Sequence, residues 1–407
     1  MIILLHRAGC QASSSCALRY NSEVAMIYLD NNSTTQTATQ VVEAMQPFWR
    51  ECFGNPSSLH RAGQMARHGV ETAREHVAAM IGARPRDIVF TSGGTEADNL
   101  AILGTLAANP AKRHIITTAV EHVAVFSLCE RLAKEGYRVT FLSVDQQGRL
   151  DPAELDRCID DDTALVSIMH ANNETGVIFP IDELSAICQR RGVPLHVDAV
   201  QTAGKISIDV QALGVGLMSL SAHKIHGPKG AGALYVGRRM RLRNQLTGGH
   251  QERDLRPGTE NVPAIVGFGE AARLAKQRLA SQEWLRVATL RDRLERGVCE
   301  QVPFAHVVGD RANRIPNTTN IAFETLEAEA ILIALSEQGV CASSGSACSS
   351  GSLEPSHVLK AMGIDDRIAH GAVRFSLSVD TTTQEIEQAL PIIVSAALRL
   401  ARLSVPG

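Results

Sequence analysis

Ile88-Val89-Phe90-Thr91-Ser92-Gly93-Gly94-Thr95-Glu96 decides the architecture, because a short buried strand runs through two glycines into a segment of helical period that reaches Ala107. Downstream the alternation repeats. His114-Ile115-Ile116-Thr117, Val139-Thr140-Phe141-Leu142, Leu165-Val166-Ser167-Ile168-Met169, Leu195-His196-Val197-Asp198, Leu217-Met218-Ser219-Leu220 and Ala233-Leu234-Tyr235-Val236 read as further buried strands. Helical segments such as Phe126 to Lys134 and Ile181 to Arg191 lie between them, the second stopped by Gly192 and Pro194. This spacing predicts an α/β fold with a mostly parallel seven-stranded sheet, helices on both faces, over residues 40–278.

Beyond residue 262 the pattern changes. Val262 to Ala280 and Trp284 to Val298 read as long helices, followed by strands at Asn320 to Glu324 and Val373 to Ser378 and helices at Ala328 to Gln338 and Gln384 to Leu400. A smaller α+β domain is expected here, built from residues 26–39 and 279–407, with a strand around Tyr28 joining it. Residues 1–25 read as an extension outside the fold, either disordered or upstream of a true start at Met26.

The composition narrows the function. In 407 residues the formal net charge is -3 and no Lys/Arg block occurs, which argues against nucleic-acid or membrane-surface partners. No apolar run approaches the roughly 18 residues of a membrane span. The nine cysteines form no CxxC pairs, so neither a disulfide framework nor a metal site is indicated, and a reducing cytoplasm is the expected compartment. Small-molecule chemistry is the remaining class.

Ligands of open parallel sheets sit outside the carboxyl ends of the strands, and four loops there carry reactive residues. In Thr91 to Glu96, Gly93 and Gly94 let the backbone approach an anion, and helix-start amides with the Thr95 hydroxyl suit phosphate; an ordinary strand-to-helix turn would look the same. Asp198 closes a buried strand, where a carboxylate usually caps a helix or pairs with a cation, the functional alternative being to hold a protonated heterocyclic nitrogen. Lys224 follows a buried strand directly, so desolvation would favour the amine form that a Schiff base needs, whereas Lys229 reads as a solvated surface residue. Ser221 and His223 flank Lys224 and can share an anion with Thr95. Finally Cys348 lies in a glycine/serine loop where a thiol has no packing duty and can act as a nucleophile, unlike Cys341 in its strand-like apolar setting.

These stretches, from about Tyr28 to the end, resemble the NifS/IscS-like cysteine desulfurases, class-V aminotransferase-like enzymes of PLP-dependent fold type I, the aspartate-aminotransferase fold. The resemblance rests on YLDNNSTT at 28–35, FGNPSSLH at 53–60, FTSGGTEADN at 90–99, EHVAV at 121–125 and MHANNETG at 169–176. It continues through HVDAVQ, SAHKIHGPKG, GGHQERDLRPGTENVP at 248–263, SSGSACSSGSLEPSHVL and VRFSLS. The wording is nearer to the NifS branch.

The resemblance implies that Lys224 carries pyridoxal 5'-phosphate, Asp198 pairs with its pyridine nitrogen, Gln201 bonds its ring hydroxyl, and His122 stacks on the ring and assists proton transfer. Gly94, Thr95, Ser221 and His223 would hold the phosphate, with Thr259 reaching across from a second subunit of a homodimer. Asn173, also counted among the cofactor contacts, and Arg374 would bind the substrate carboxylate. The implied reaction turns L-cysteine into L-alanine, leaving a persulfide on Cys348 for an iron-sulfur scaffold or another thiol acceptor. No resident metal is implied, although Cys348 would meet an iron-sulfur cluster in passing. Selenocysteine lyase, or another class-V aminotransferase-like enzyme, is the rival reading, and whether the sulfur serves nitrogenase maturation or general assembly stays open. Three positions depart from the family pattern, Ser33 for alanine, Pro257 for alanine or serine, and Ser378 for glycine. None is expected to touch the carrier lysine.

Overall fold

The computed structural model describes residues 26–345 and 355–404. Residues 1–25 and Cys348 therefore lie outside the described residues. A short strand β1 (Ile27–Tyr28) precedes the main sheet, which comprises β2 (Ile88–Thr91), β3 (His114–Thr118), β4 (Arg138–Leu142), β5 (Thr163–Met169), β6 (Leu195–Asp198), β7 (Leu217–Ser221) and β8 (Gly232–Val236). Their order is β2-β8-β7-β6-β5-β3-β4, and only β8 runs against its neighbours. A parallel return needs a long crossover. The β7–β8 connection holds just a single 3-10 turn, Ala222–Lys224, so the chain folds straight back.

Every residue of β2, β3, β5, β6 and β7 is buried, as apolar runs covered on both faces require, while the edge strand β4 is half-exposed. Met169 pairs with Asp198 and Asp198 with Ser219, so the carboxyl ends of β5, β6 and β7 finish close together. That alignment places the residues after these strands around one space.

The second sheet is antiparallel, with β9 (Ala305–Val308), β10 (Thr318–Phe323), β12 (Ser343–Ser344) and β13 (Ala372–Ser376) in the order β12-β13-β10-β9; β11 (Val340–Cys341) pairs instead with β1. β11 falls on the strand-like setting of Cys341, whereas β9 and β12 are absent from the sequence-based expectation because runs of two to four residues carry no readable period. The helix Arg61–Met80 is likewise absent from that expectation, although Ala66, Val70, Ala73, Val77 and Met80 line its buried face at helical spacing. It packs along Val262–Ala280. Among the described residues no helix is long and apolar enough to cross a membrane.

One close approach ties the sheet to the loop after β2. A Cβ on Gly232 would stand 2.5 Å from the Gly93 Cα and carbonyl carbon, both backbone atoms. Gly232→Ala must push β8 away from this turn. Urea unfolding of the cofactor-free chain is expected to register a loss of about 1–3 kcal/mol, typical of overpacking.

Candidate active site

A cavity of about 210 Å³ opens at the carboxyl ends of the main sheet. Gly94 and Thr95 reach it from the turn after β2, His122 from beyond β3, Asn173 from beyond β5, Asp198 and Gln201 from the end of β6, and Ser221, His223 and Lys224 from the end of β7. An adjoining cleft of about 430 Å³ shares Gly94, Thr95, Ser221 and His223 and adds Ser33, Thr34 and Lys229. Here the helix Gly94–Ala108 begins, with its first amides unsatisfied by the helix itself. The buried Ser221 hydroxyl has no partner among the described residues. His223 Nδ1 lies 3.2 Å from the Thr34 hydroxyl, and burial, with Lys224 and Lys229 nearby, depresses its pKa to about 4. These groups form a cradle suited to an anion.

The main cavity is lined by groups whose charge is set by burial. Asp198 is raised to about 6 by desolvation, against the pull of the Val200 N–H, which donates to its Oδ1 at 2.9 Å, and of Lys224. Asp98, fully buried beside it, is pushed well above the usual carboxylate range by desolvation and by Asp198. Burial likewise lifts Glu121 to about 8, although Thr118 and the Met169 N–H donate to it. His122 falls to about 4 through burial, then through Lys224, His357 and Arg374 nearby. Its imidazole is neutral at physiological pH. Because the Ala124 N–H donates to Nδ1 at 3.2 Å, the ring proton belongs on Nε2.

Lys224 donates from Nζ to the main-chain carbonyls of Asn32 at 2.6 Å and Ser33 at 2.8 Å. The expectation that the Ser33 departure stays clear of the carrier lysine is therefore corrected. The turn after β1 runs directly over the amine, fastened by Asn31 N–H to the Ser376 carbonyl and Thr35 N–H to the His223 carbonyl. The Ser33 hydroxyl also donates to Asp30 at 2.8 Å and accepts from Arg374 Nη2 at 2.7 Å.

Arg374 enters from β13 and is buried. It donates from Nη1 to the Asn173 carbonyl at 2.9 Å and from Nη2 to Asp30 at 2.9 Å. It does not line the 210 Å³ cavity itself but packs against Asn173, which does. Arg374 Nε and Asn173 Oδ1 are buried and unpartnered among the described residues, a donor and an acceptor still available to a ligand. Thr259 is exposed and lines neither space, and Lys229 sits exposed at the lip of the cleft. Pro257 packs against Gly248, and the Ser378 hydroxyl accepts from the Asp380 N–H.

Sequence reasoning assigned no role to Asn32, Asp98, Glu121 or Lys205. Three of them stand inside quoted motifs, YLDNNSTT, FTSGGTEADN and EHVAV, and Lys205 follows Gln201 at the next same-side position, i to i+4. A charged or amide side chain reads as solvated until the fold buries it.

Fold and cavity together define an α/β enzyme whose lysine stands between an anion cradle and a buried carboxylate, outside the carboxyl ends of a mostly parallel sheet. The sequence signature of the family "Aminotransferase class-V" matches residues 27–389. The cysteine desulfurase NifS of Azotobacter vinelandii is 50% identical over 382 residues, 94% of this chain and 95% of the relative. Among solved structures, a NifS-like protein superposes with a TM-score of 0.85 at 39% identity, covering 91% of this chain and 98% of its own. SspA, solved in complex with cysteine, gives a TM-score of 0.74 at 34% identity, covering 86% and 98%. The chain belongs to the class-V aminotransferase family, among its cysteine desulfurases.

Proposed function

We propose that this chain is a pyridoxal-phosphate-dependent cysteine desulfurase that works as a homodimer and passes sulfur from L-cysteine, through Cys348, to an iron-sulfur scaffold or another thiol acceptor. The observation that carries the reading is the shared cavity, in which Lys224 faces Asp198 and the unpartnered Ser221 hydroxyl opens onto the anion cradle. Those residues fit the cofactor: Thr95, Ser221, His223 and the amides after Gly93 would take its phosphate, Asp198 its pyridine nitrogen and Gln201 its ring oxygen. When bound, pyridoxal phosphate supplies the electron sink for the pair left at the substrate α-carbon.

This chain's own groups account for the remaining work. Lys224, steered by the Asn32 and Ser33 carbonyls, moves the α-proton, and His122 offers the proton on Nε2. The free Arg374 Nε and the amide N–H of the Asn173 side chain would hold the substrate carboxylate. Cys348, assigned from sequence, attacks the substrate sulfur as a thiolate. An S–S bond forms, the C–S bond breaks, and its electron pair stays on carbon, which is protonated to give L-alanine. A structural relative solved with cysteine supports the substrate. The exposed Trp49, Phe53 and Leu59, together with the exposed Thr259, support a second subunit.

Incubating the chain with pyridoxal phosphate, L-cysteine and a thiol reductant tests the proposal. Alanine and sulfide should appear in equal amounts. Selenocysteine turnover far exceeding that of cysteine would instead favour the lyase, and amino transfer to a 2-oxo acid would favour an aminotransferase.

The Ser33 departure adds a specific expectation. Both protons of Arg374 Nη2 are engaged, one by Asp30 and one by Ser33, so a carboxylate arriving at Nε competes with Ser33 for a second donor. Ser33→Ala should lower the KM for L-cysteine about two- to fivefold with little change in kcat, the signature of altered ground-state binding. Steady-state kinetics decide it.

A further inference from the structure

Behind the cavity wall sits a lysine for which the reaction has no use. Lys205 is 3% exposed and forms no ion pair among the described residues. Its Nζ donates to Gln201 Oε1 at 3.1 Å and to Asn32 Oδ1 at 3.3 Å. The charges that act on it are cations, Lys224 and Arg374, and its own charge is felt by His226 on the other side. Burial without a carboxylate partner is expensive, and it holds the ammonium down to about 7.

Lys205 Nζ donates to Gln201, so the atom of Gln201 that faces it is the amide oxygen. The amide nitrogen is then turned the other way. One of its protons goes to the Asn32 carbonyl at 3.0 Å, and the second remains for the cavity that Gln201 lines. Without Lys205 only the Asn32 carbonyl, already shared with Lys224 Nζ, is left to set the two ends of this amide, and a flip would point a carbonyl oxygen at the ligand.

We propose that Lys205 is a positioning residue: by holding Gln201 Oε1 and Asn32 Oδ1 it fixes the Gln201 amide so that Nε2 presents its donor to the ring oxygen of the bound cofactor. The same contact steadies Asn32, whose carbonyl receives the other proton of Gln201 Nε2. The inference rests on reading the cavity as a pyridoxal-phosphate site.

Equilibrium titration of the full-length, cofactor-free chain with pyridoxal phosphate and with 3-deoxypyridoxal phosphate, which lacks the ring hydroxyl, tests it. Wild type should prefer the natural cofactor roughly tenfold, the worth of one hydrogen bond to an ionised oxygen. Lys205→Met should abolish that preference, weakening pyridoxal phosphate about tenfold while leaving the 3-deoxy compound within twofold. In a Gln201→Ala background Lys205→Met should add nothing further. A lysine that merely stabilises the fold would weaken both ligands alike, and that result, or an unchanged preference in Lys205→Met, overturns the proposal. Thermal melting of the cofactor-free variants reports folding. Should Lys205→Met not fold, Lys205→Gln, which keeps one shorter donor, is judged by the same ratio and should show a reduced preference. Failure of wild type to bind either compound would instead remove the cofactor reading itself.

Discussion

Lys224→Ala is expected to lower desulfurase activity by at least about 10³-fold and to abolish the yellow absorbance of covalently held cofactor. The size follows from two lost functions, the covalent link and the proton transfer at the α-carbon, the second alone being worth roughly 10²–10⁴-fold. The geometry sharpens the prediction. The amine stands against the Asn32 and Ser33 carbonyls at 2.6 and 2.8 Å, so an added alkylamine could supply a base but would find no tether in its place. Absorbance spectra and sulfide release, read on the same preparation, check both losses. Retention of near-normal turnover would place the chemistry elsewhere.

The second large effect belongs to Cys348→Ala. This variant should keep the yellow cofactor, because Lys224, Asp198 and the anion cradle are intact, yet produce no enzyme persulfide and lose sulfide release by about 10³-fold or more. Mass spectrometry of the protein after L-cysteine should find the additional sulfur in wild type alone. Normal release of alanine and sulfide by the variant would exclude Cys348 as acceptor.

How much of this was legible beforehand differs from residue to residue. The strands of the main sheet are apolar on both faces and end in small or polar residues, so Phe90, Asp198 and Leu220 marked their own ends and pointed to the loops where Thr95, Gln201 and Lys224 lie. The antiparallel insertion of β8 was not legible, since Ala233 to Val236 reads the same in either direction. Cys348 is the opposite case. Its setting among glycines and serines is a property of the sequence, and its assignment stands on that sequence.

Burial was the information most often lacking. Asp98, Glu121 and Lys205 carry side chains that ordinarily face water, and only the packing of β3, β5, β6 and the turn after β1 removes water from them. The value of Ser33 was hidden for a related reason. A hydroxyl in place of a methyl looks neutral until Arg374, more than 300 positions away, is found against it.

The turn after β1 carries a consequence for biosynthesis. Its carbonyls receive the Lys224 amine, but Asn31 and Asn32 are fastened to Ser376, a residue made near the end of translation. A chain whose synthesis has not yet reached β13 has β11 for its first strand but lacks Ser376 to fasten the turn that follows it. Maturation of the catalytic centre must then wait for the last tenth of the polypeptide, however early the cofactor arrives.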